Sequence, residues 1–250
     1  MLSVTKGKVE ASSNPVLSPP LKMQNMKSLL SLAAITAVFA LASCGSSNES
    51  VPETNAEAAA ATKGAETAMN LTDGNYTIDA VASTIAWKGS KITGSTHVGT
   101  LAVYKGSIEI VDQAVAGGFV SADMNAMVCT DEGMDDDTKA NLIGHLQSDD
   151  FFGVEQHPFA TVSLEGIKVK GDQAVGFGKL TIRDITQPIS FPVTVAMDGG
   201  NVVMDAQLTF DRAKHNVKFR SGAFPDLFPD LGDNLINDEI ELDIHIVASL

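Results

Sequence analysis

The sequence predicts an all-β domain, an antiparallel β-barrel of about eight strands with one helix near 136–147. Three observations carry this. Apolar and polar residues alternate with period two over much of residues 75–250, the spacing of a strand with one buried face. The gaps between alternating runs are mostly short and hold turn residues, which favours antiparallel neighbours. A single stretch has helix-start chemistry, so a wound α/β sheet, which needs a helix at each crossover, is excluded. Closing the sheet removes exposed strand edges. An eight-strand interior is just wide enough to be filled by side chains or to enclose one small ligand.

The elements follow in chain order. Met1–Leu21 fits no recognisable role, and a start at Met23 or Met26 explains it best. Lys22 and Lys27 precede a thirteen-residue apolar run, Leu29 to Leu41. That is too short for a bilayer span but suits a signal-peptide core. The run ends in Leu41-Ala42-Ser43-Cys44, which resembles the bacterial lipobox, so Cys44 is the expected lipidation site and residues 1–43 the removed segment. Residues 44–74 read as a tether. Gly45–Asn70 lacks aromatics and is rich in Ala, Glu, Ser and Thr, too polar to build its own core. A flexible chain of that length averages roughly 25–30 Å end to end.

The barrel domain is expected over 75–250. Strands are predicted near Ser83–Ile92, Thr96–Tyr104, Ser107–Ala114, Phe119–Val128, Ala160–Val169 and Gln173–Ile182. Lys170-Gly171-Asp172 supplies a turn. Ile189, Phe191, Val193, Val195 and Met197 alternate along the next strand. Asp198-Gly199-Gly200-Asn201 then makes a hairpin into Val202, Met204, Ala206, Leu208 and Phe210. The last strand alternates Ile240, Leu242, Ile244 and Ile246 with Glu241, Asp243 and His245. For the helix, Asp135, Asp136 and Asp137 place negative charge where the dipole favours it. Ala140, Ile143 and Gly144 share one face, with Leu142 and Leu146 alongside.

Composition narrows the function. The chain has 250 residues, 44% hydrophobic and 19% charged, which is enough for a buried core. The formal net charge is −14. Removing residues 1–43 takes away four lysines and Glu10, leaving 13 basic and 30 acidic groups, or −17. That balance opposes binding to a phosphate backbone, which depends on clustered Lys and Arg. Two cysteines cannot form a disulfide framework, and after cleavage and lipidation Cys129 is the one free thiol, read as a small buried hydrophobe.

The search for catalytic motifs finds none. G-x-S-x-G, H-E-x-x-H and C-x-x-C do not occur. Gly176-Phe177-Gly178-Lys179 lacks phosphate-loop spacing and is followed by Leu180 instead of Ser or Thr. His97, His145, His157, His215 and His245 are never paired at metal-ligand spacing. His145, at the helix end, is expected to satisfy the last carbonyls. The acidic clusters Asp131–Asp137 and Asp226–Glu239 miss the EF-hand pattern and read as solvated loop and cap positions. The expectation is a non-enzyme without metal. Phe151, Phe152, Phe219, Phe224 and Phe228 fall on loops, where they would close a barrel mouth.

Two motifs carry a resemblance. Gly144-His145-Leu146-Gln147-Ser148-Asp149-Asp150-Phe151-Phe152 is similar to the H-L-x-S-x-D-F-F segment of the YceI-like family. Leu180-Thr181-Ile182-Arg183-Asp184-Ile185-Thr186-Gln187-Pro188 resembles its L-T-I-R-G-V-T-K-P strand. Tyr76-Thr77-Ile78-Asp79 and the final strand fit as well. Ala82, Asp184, Gln187 and His215 depart from the usual family residues, Asp184 replacing a Gly.

The resemblance implies an extended lipocalin-like barrel, exported, with no shared catalytic constellation. Some members hold polyisoprenoid or quinone-like molecules inside. The expected function is therefore a membrane-tethered protein of the bacterial cell envelope that stores or transports an isoprenoid-type lipid. The alternative is a surface lipoprotein with a solid barrel that acts through a protein partner. From alternation, the expected lining is Ile85, Trp87, Leu101, Val103, Val162, Leu164, Leu180, Phe191, Val193, Leu208 and Phe210, with Phe151 and Phe152 gating one end.

Overall fold

The computed structural model describes residues 69–171 and 173–250. The expected signal segment, Cys44 and most of the expected tether lie outside the described residues. Nine strands and one α-helix follow in order: β1 Gly74–Ile78, β2 Thr84–Ser90, β3 Thr96–Val111, β4 Ala114–Cys129, α1 Asp136–Gln147, β5 Phe159–Lys170, β6 Gln173–Ile182, β7 Ile185–Asp198, β8 Asn201–Asp211 and β9 Glu239–Ser249. Every pairing is antiparallel. Consecutive neighbours run from β4 through β9, and β3–β4 pairing closes the sheet into a barrel.

Nine strands occupy eight positions. β1 and β2 both sit between β3 and β9: β1 pairs with Ser107–Ile110 and Ala248–Ser249, β2 with Thr96–Leu101 and Glu241–His245. They behave as one strand interrupted at Asp79–Ser83. The Asp79 carboxylate accepts from the Val81 and Ala82 amides at 2.8 and 3.0 Å, an Asx turn. The Ser83 hydroxyl meanwhile takes the Val247 amide at 3.0 Å, continuing the ladder across the break.

Alternation misread β3 in one place. The expected strands Thr96–Tyr104 and Ser107–Ala114 are a single 16-residue strand to Val111, and Ala114 opens β4. The register shifts between Val103 and Lys105, a β-bulge. Before it Gly99 and Val103 face inward; after it Gly106, Ile108 and Ile110 do. The bulge flips the side-chain phase, and a strand whose phase flips looks like two strands in sequence. The β3–β4 turn was also missed. Asp112 and Gln113 both adopt positive φ, +53° and +62°, the two-residue hairpin conformation that Asn-Gly usually signals. Asp73 compensates by accepting from both of their amides, at 3.2 and 2.8 Å.

The helix starts where the acids predicted. Asp135 caps it, accepting from the Thr138 amide at 2.8 Å and the Thr138 hydroxyl at 2.9 Å. Those bonds hold its carboxyl below the usual range. No helix residue is fully buried, and the face turned to the barrel is half-buried. Ile143 and Leu146 pack on Trp87, Met124, Met127 and Val154, whereas Ala140 and Gly144 are exposed. Nor does His145 cap the end: the Ser148 hydroxyl donates to the His145 carbonyl at 2.7 Å.

The barrel has a filled end and an end covered by α1 and residues 217–238. At the end formed by β1 and the β3–β4 and β7–β8 turns, Tyr76, Ile110, Val202 and Ala248 are almost wholly buried. At the other end the ladder thins. β7 is paired with β6 from Ile185 to Pro192, but with β8 only from Val193 onward. Pro188 and Pro192 have no N–H to give a ladder. The gap beside β7 is filled by a short 3-10 segment, Arg212–His215. His215 is 1% exposed there, with Nδ1 3.0 Å from the Ile185 carbonyl.

Candidate functional site: an apolar cavity

Inward-facing side chains of the strands enclose a cavity of about 190 Å³ that runs from beneath α1 into the middle of the barrel. The interior is thus not packed solid. Eleven of the thirteen residues named above as lining or gating candidates line it: Ile85, Trp87, Leu101, Val162, Leu164, Leu180, Phe191, Leu208 and Phe210 on strands, with Phe151 and Phe152 after α1. Val193 and Val103 are corrections. Both are buried in the core cluster, but neither lines the cavity, although their cross-strand partners Ala122 and Ala206 do.

Sequence reasoning missed several walls. Met124, Met127 and Met204 contribute, as do Ala122, Ala160 and Ala206. Ile240, Leu242, Ile244 and Ile246 line the cavity from β9, and their regular alternation was the available signal. Leu142 and Leu146 close it from the helix. Polar side chains occur mainly toward the outer end, where Ser90, Lys91 and His97 are half-buried. His97 Nδ1 is 2.7 Å from Asp131, whose carboxylate also accepts from the Val98 amide at 2.9 Å. Burial pushes the Asp131 carboxyl up, but those bonds outweigh it and hold it below the ordinary range.

Arg212 also borders the cavity, 1% exposed. Nε donates to the Asn237 carbonyl, Nη1 to the Val217 and Phe219 carbonyls and Nη2 to Ile236, all at 3.0–3.1 Å. Nη2 is also 3.1 Å from Asp238. Four of the five N–H groups of the guanidinium thus donate to backbone carbonyls, and the Asp238 carboxylate pairs with its charge. Arg212 therefore clamps residues 217–238 over the barrel end and has little left for a ligand. Burial pushes its pKa down, opposed by Asp238 and Asp211.

The phenylalanines divide by role. Phe151 and Phe152 form cavity wall; Phe219 packs behind Phe151 with ring centres 5.2 Å apart. His145 meets Phe151 and Phe219 edge-on at 5.0 and 4.7 Å, and Phe228 meets Phe219 edge-on from outside at 5.7 Å. An aromatic seam thus joins the end of α1 to the 217–238 loop. Arg183, in the β6–β7 turn, donates to the Asp149 and Phe151 carbonyls and so ties the second family motif to the first. Among the described residues no cluster of three or more His, Cys, Asp or Glu is placed to hold a metal.

A closed antiparallel barrel around one apolar cavity has the architecture of the ligand-enclosing lipocalin-like barrels. A profile of the YceI-like domain matches residues 76–248, so the chain belongs to the YceI-like family. The fold is similar to the crystal structure of Burkholderia cenocepacia BcnA, at 21% identity and a TM-score of 0.53, covering 69% of this chain and 99% of that one. It is also similar to a polyisoprenoid binding domain from Saccharophagus degradans implicated in plant cell wall breakdown. There the identity is 16% and the TM-score 0.51, over 70% of this chain and 97% of that one. No curated protein matches the chain.

Proposed function

We propose that the barrel holds an isoprenoid-type amphiphile with its tail in the cavity, and that Cys44 tethers the protein to the membrane of a bacterial cell envelope for storage or transport of that lipid. The apolar lining of the cavity is the observation that carries this. A branched hydrocarbon needs no hydrogen-bond code, and each buried CH₂ yields about 0.8 kcal/mol. An apolar void of about 150 Å³ stays dry and accepts benzene. The cavity here is larger and suits about one to two isoprene units as it stands. A longer tail requires Met124, Met127 and Met204 to move, and thioether side chains repack readily. The Saccharophagus domain's polyisoprenoid binding supports the same reading.

Cavity filling tests it. Ala206 is buried on the wall, and Ala206→Phe puts a ring into the void. Titration with geranylacetone, a C13 terpenoid ketone, is read through Trp87, the one tryptophan of the chain. The unsubstituted protein should show saturable binding, and A206F should weaken it at least tenfold while remaining folded. Equal binding by both would place the ligand elsewhere. For the tether, Cys44→Ala should move the protein from the membrane to the soluble fraction; unchanged membrane association would remove the lipid anchor from the proposal.

A further inference from the structure

The described residues contain three buried side-chain polar atoms without a hydrogen bond: Trp87 Nε1, His157 Nδ1 and Asp238 Oδ1. Two of them face a counter-charge, His157 at 3.0 Å from Asp184 and Asp238 at 3.1 Å from Arg212. Trp87 has no such partner. The residue is 8% exposed and packs among Met124, Met127 and Val154, which offer no acceptor oxygen in their side chains. It also lies against Gly99, where a Cβ would come within 2.4 Å of the indole. Trp87 lines the cavity. Buried indole N–H groups normally find an acceptor, because leaving one unmade forfeits its hydration without return.

We infer that the Trp87 indole N–H is the polar anchor of the cavity, donating to an acceptor oxygen of the bound amphiphile, so that the occupant is an oxygen-bearing apolar molecule and not a plain hydrocarbon. This rests on the reading that the cavity holds an apolar-tailed lipid. It adds a selection that the apolar wall cannot make. The wall accepts any tail that fits; the indole sets where along the tail an oxygen must sit. Arg212 does not serve this purpose, since four of its five N–H groups donate to the Asn237, Val217, Phe219 and Ile236 carbonyls and its charge is paired with Asp238.

The test compares geranylacetone with the hydrocarbon that has CH₂ in place of its carbonyl, using the full chain freed of copurified lipid. Calorimetry should show the ketone bound roughly three- to tenfold more tightly, the worth of one neutral hydrogen bond. Trp87→Phe should abolish that preference. A second readout needs no variant. With one tryptophan, ¹⁵N-labelled protein gives a single indole N–H resonance, which should move downfield with the ketone and not with the hydrocarbon. Equal affinity of the unsubstituted protein for both probes overturns the inference and leaves the cavity reading intact. So does a preference that survives W87F, or an indole shift that is the same for both probes. Binding of neither probe overturns both readings.

Discussion

Arg212 and His215 are buried polar residues with opposite electrostatic situations. Arg212 keeps its charge because Asp238 and four carbonyls surround it. Removing one partner of such a pair strands the rest. Arg212→Met should therefore cost about 3–5 kcal/mol. Limited proteolysis should then cut within residues 217–238 before any strand; a variant as stable and as resistant as the parent would deny the clamp. His215 stays neutral. Burial pushes its pKa below the ordinary 6.5, and its hydrogen bond to the Ile185 carbonyl only partly opposes this. The unfolded chain binds that proton more readily, so stability is complete above about pH 6.5 and declines as pH falls below it. Urea midpoints at pH 7.5 and 5.5 should differ, and His215→Asn, which keeps a donor, should narrow the difference. An equal pH dependence in both proteins would assign it to other groups.

At the scale of elements, the turns record where the chain departs from easy geometry. Arg183 and Asp184 join β6 to β7 with φ of +50° and +59°, a two-residue turn with positive φ at both positions. Glycine takes the second position without cost from a Cβ. Asp184→Gly should raise stability by about 0.5–1 kcal/mol in equilibrium urea unfolding. A loss of stability would mean that the contact between Asp184 and His157 outweighs the backbone gain. Elements with uninterrupted alternation and glycine turns were legible: β6 matches its predicted bounds, and Gly199 and Gly200 turn β7 into β8 with φ of +56° and +91°. The helix was legible because Asp135 caps it. Which of its apolar residues meet the barrel was not, since the half-buried contacts of Leu142, Ile143 and Leu146 are set by what β4 and Trp87 present to them. The bulge in β3 and the Asp112-Gln113 turn escaped because tertiary partners, β4 and Asp73, supply what local sequence lacks.

For the whole molecule, inward-facing residues could be read from parity alone. Parity gave the side of the sheet but not the depth along the barrel, which is why Val193 was placed beside Phe191 in the lining when only Phe191 reaches the cavity. Depth depends on which end is filled, and the filling residues come from chain-distant strands such as β1 and β9. The polar residues toward the outer end, His97, Ser90 and Lys91, and the clamp Arg212 were likewise invisible, since no local motif brings them together. The central claim is that this cavity carries an isoprenoid-type lipid. The most direct measurement is native mass spectrometry of the chain purified from a bacterial envelope, with mass spectrometry of its organic extract. A stoichiometric prenyl or quinone species, lost from A206F, is the result predicted. A protein of bare polypeptide and anchor mass that also refuses added isoprenoids would contradict the claim.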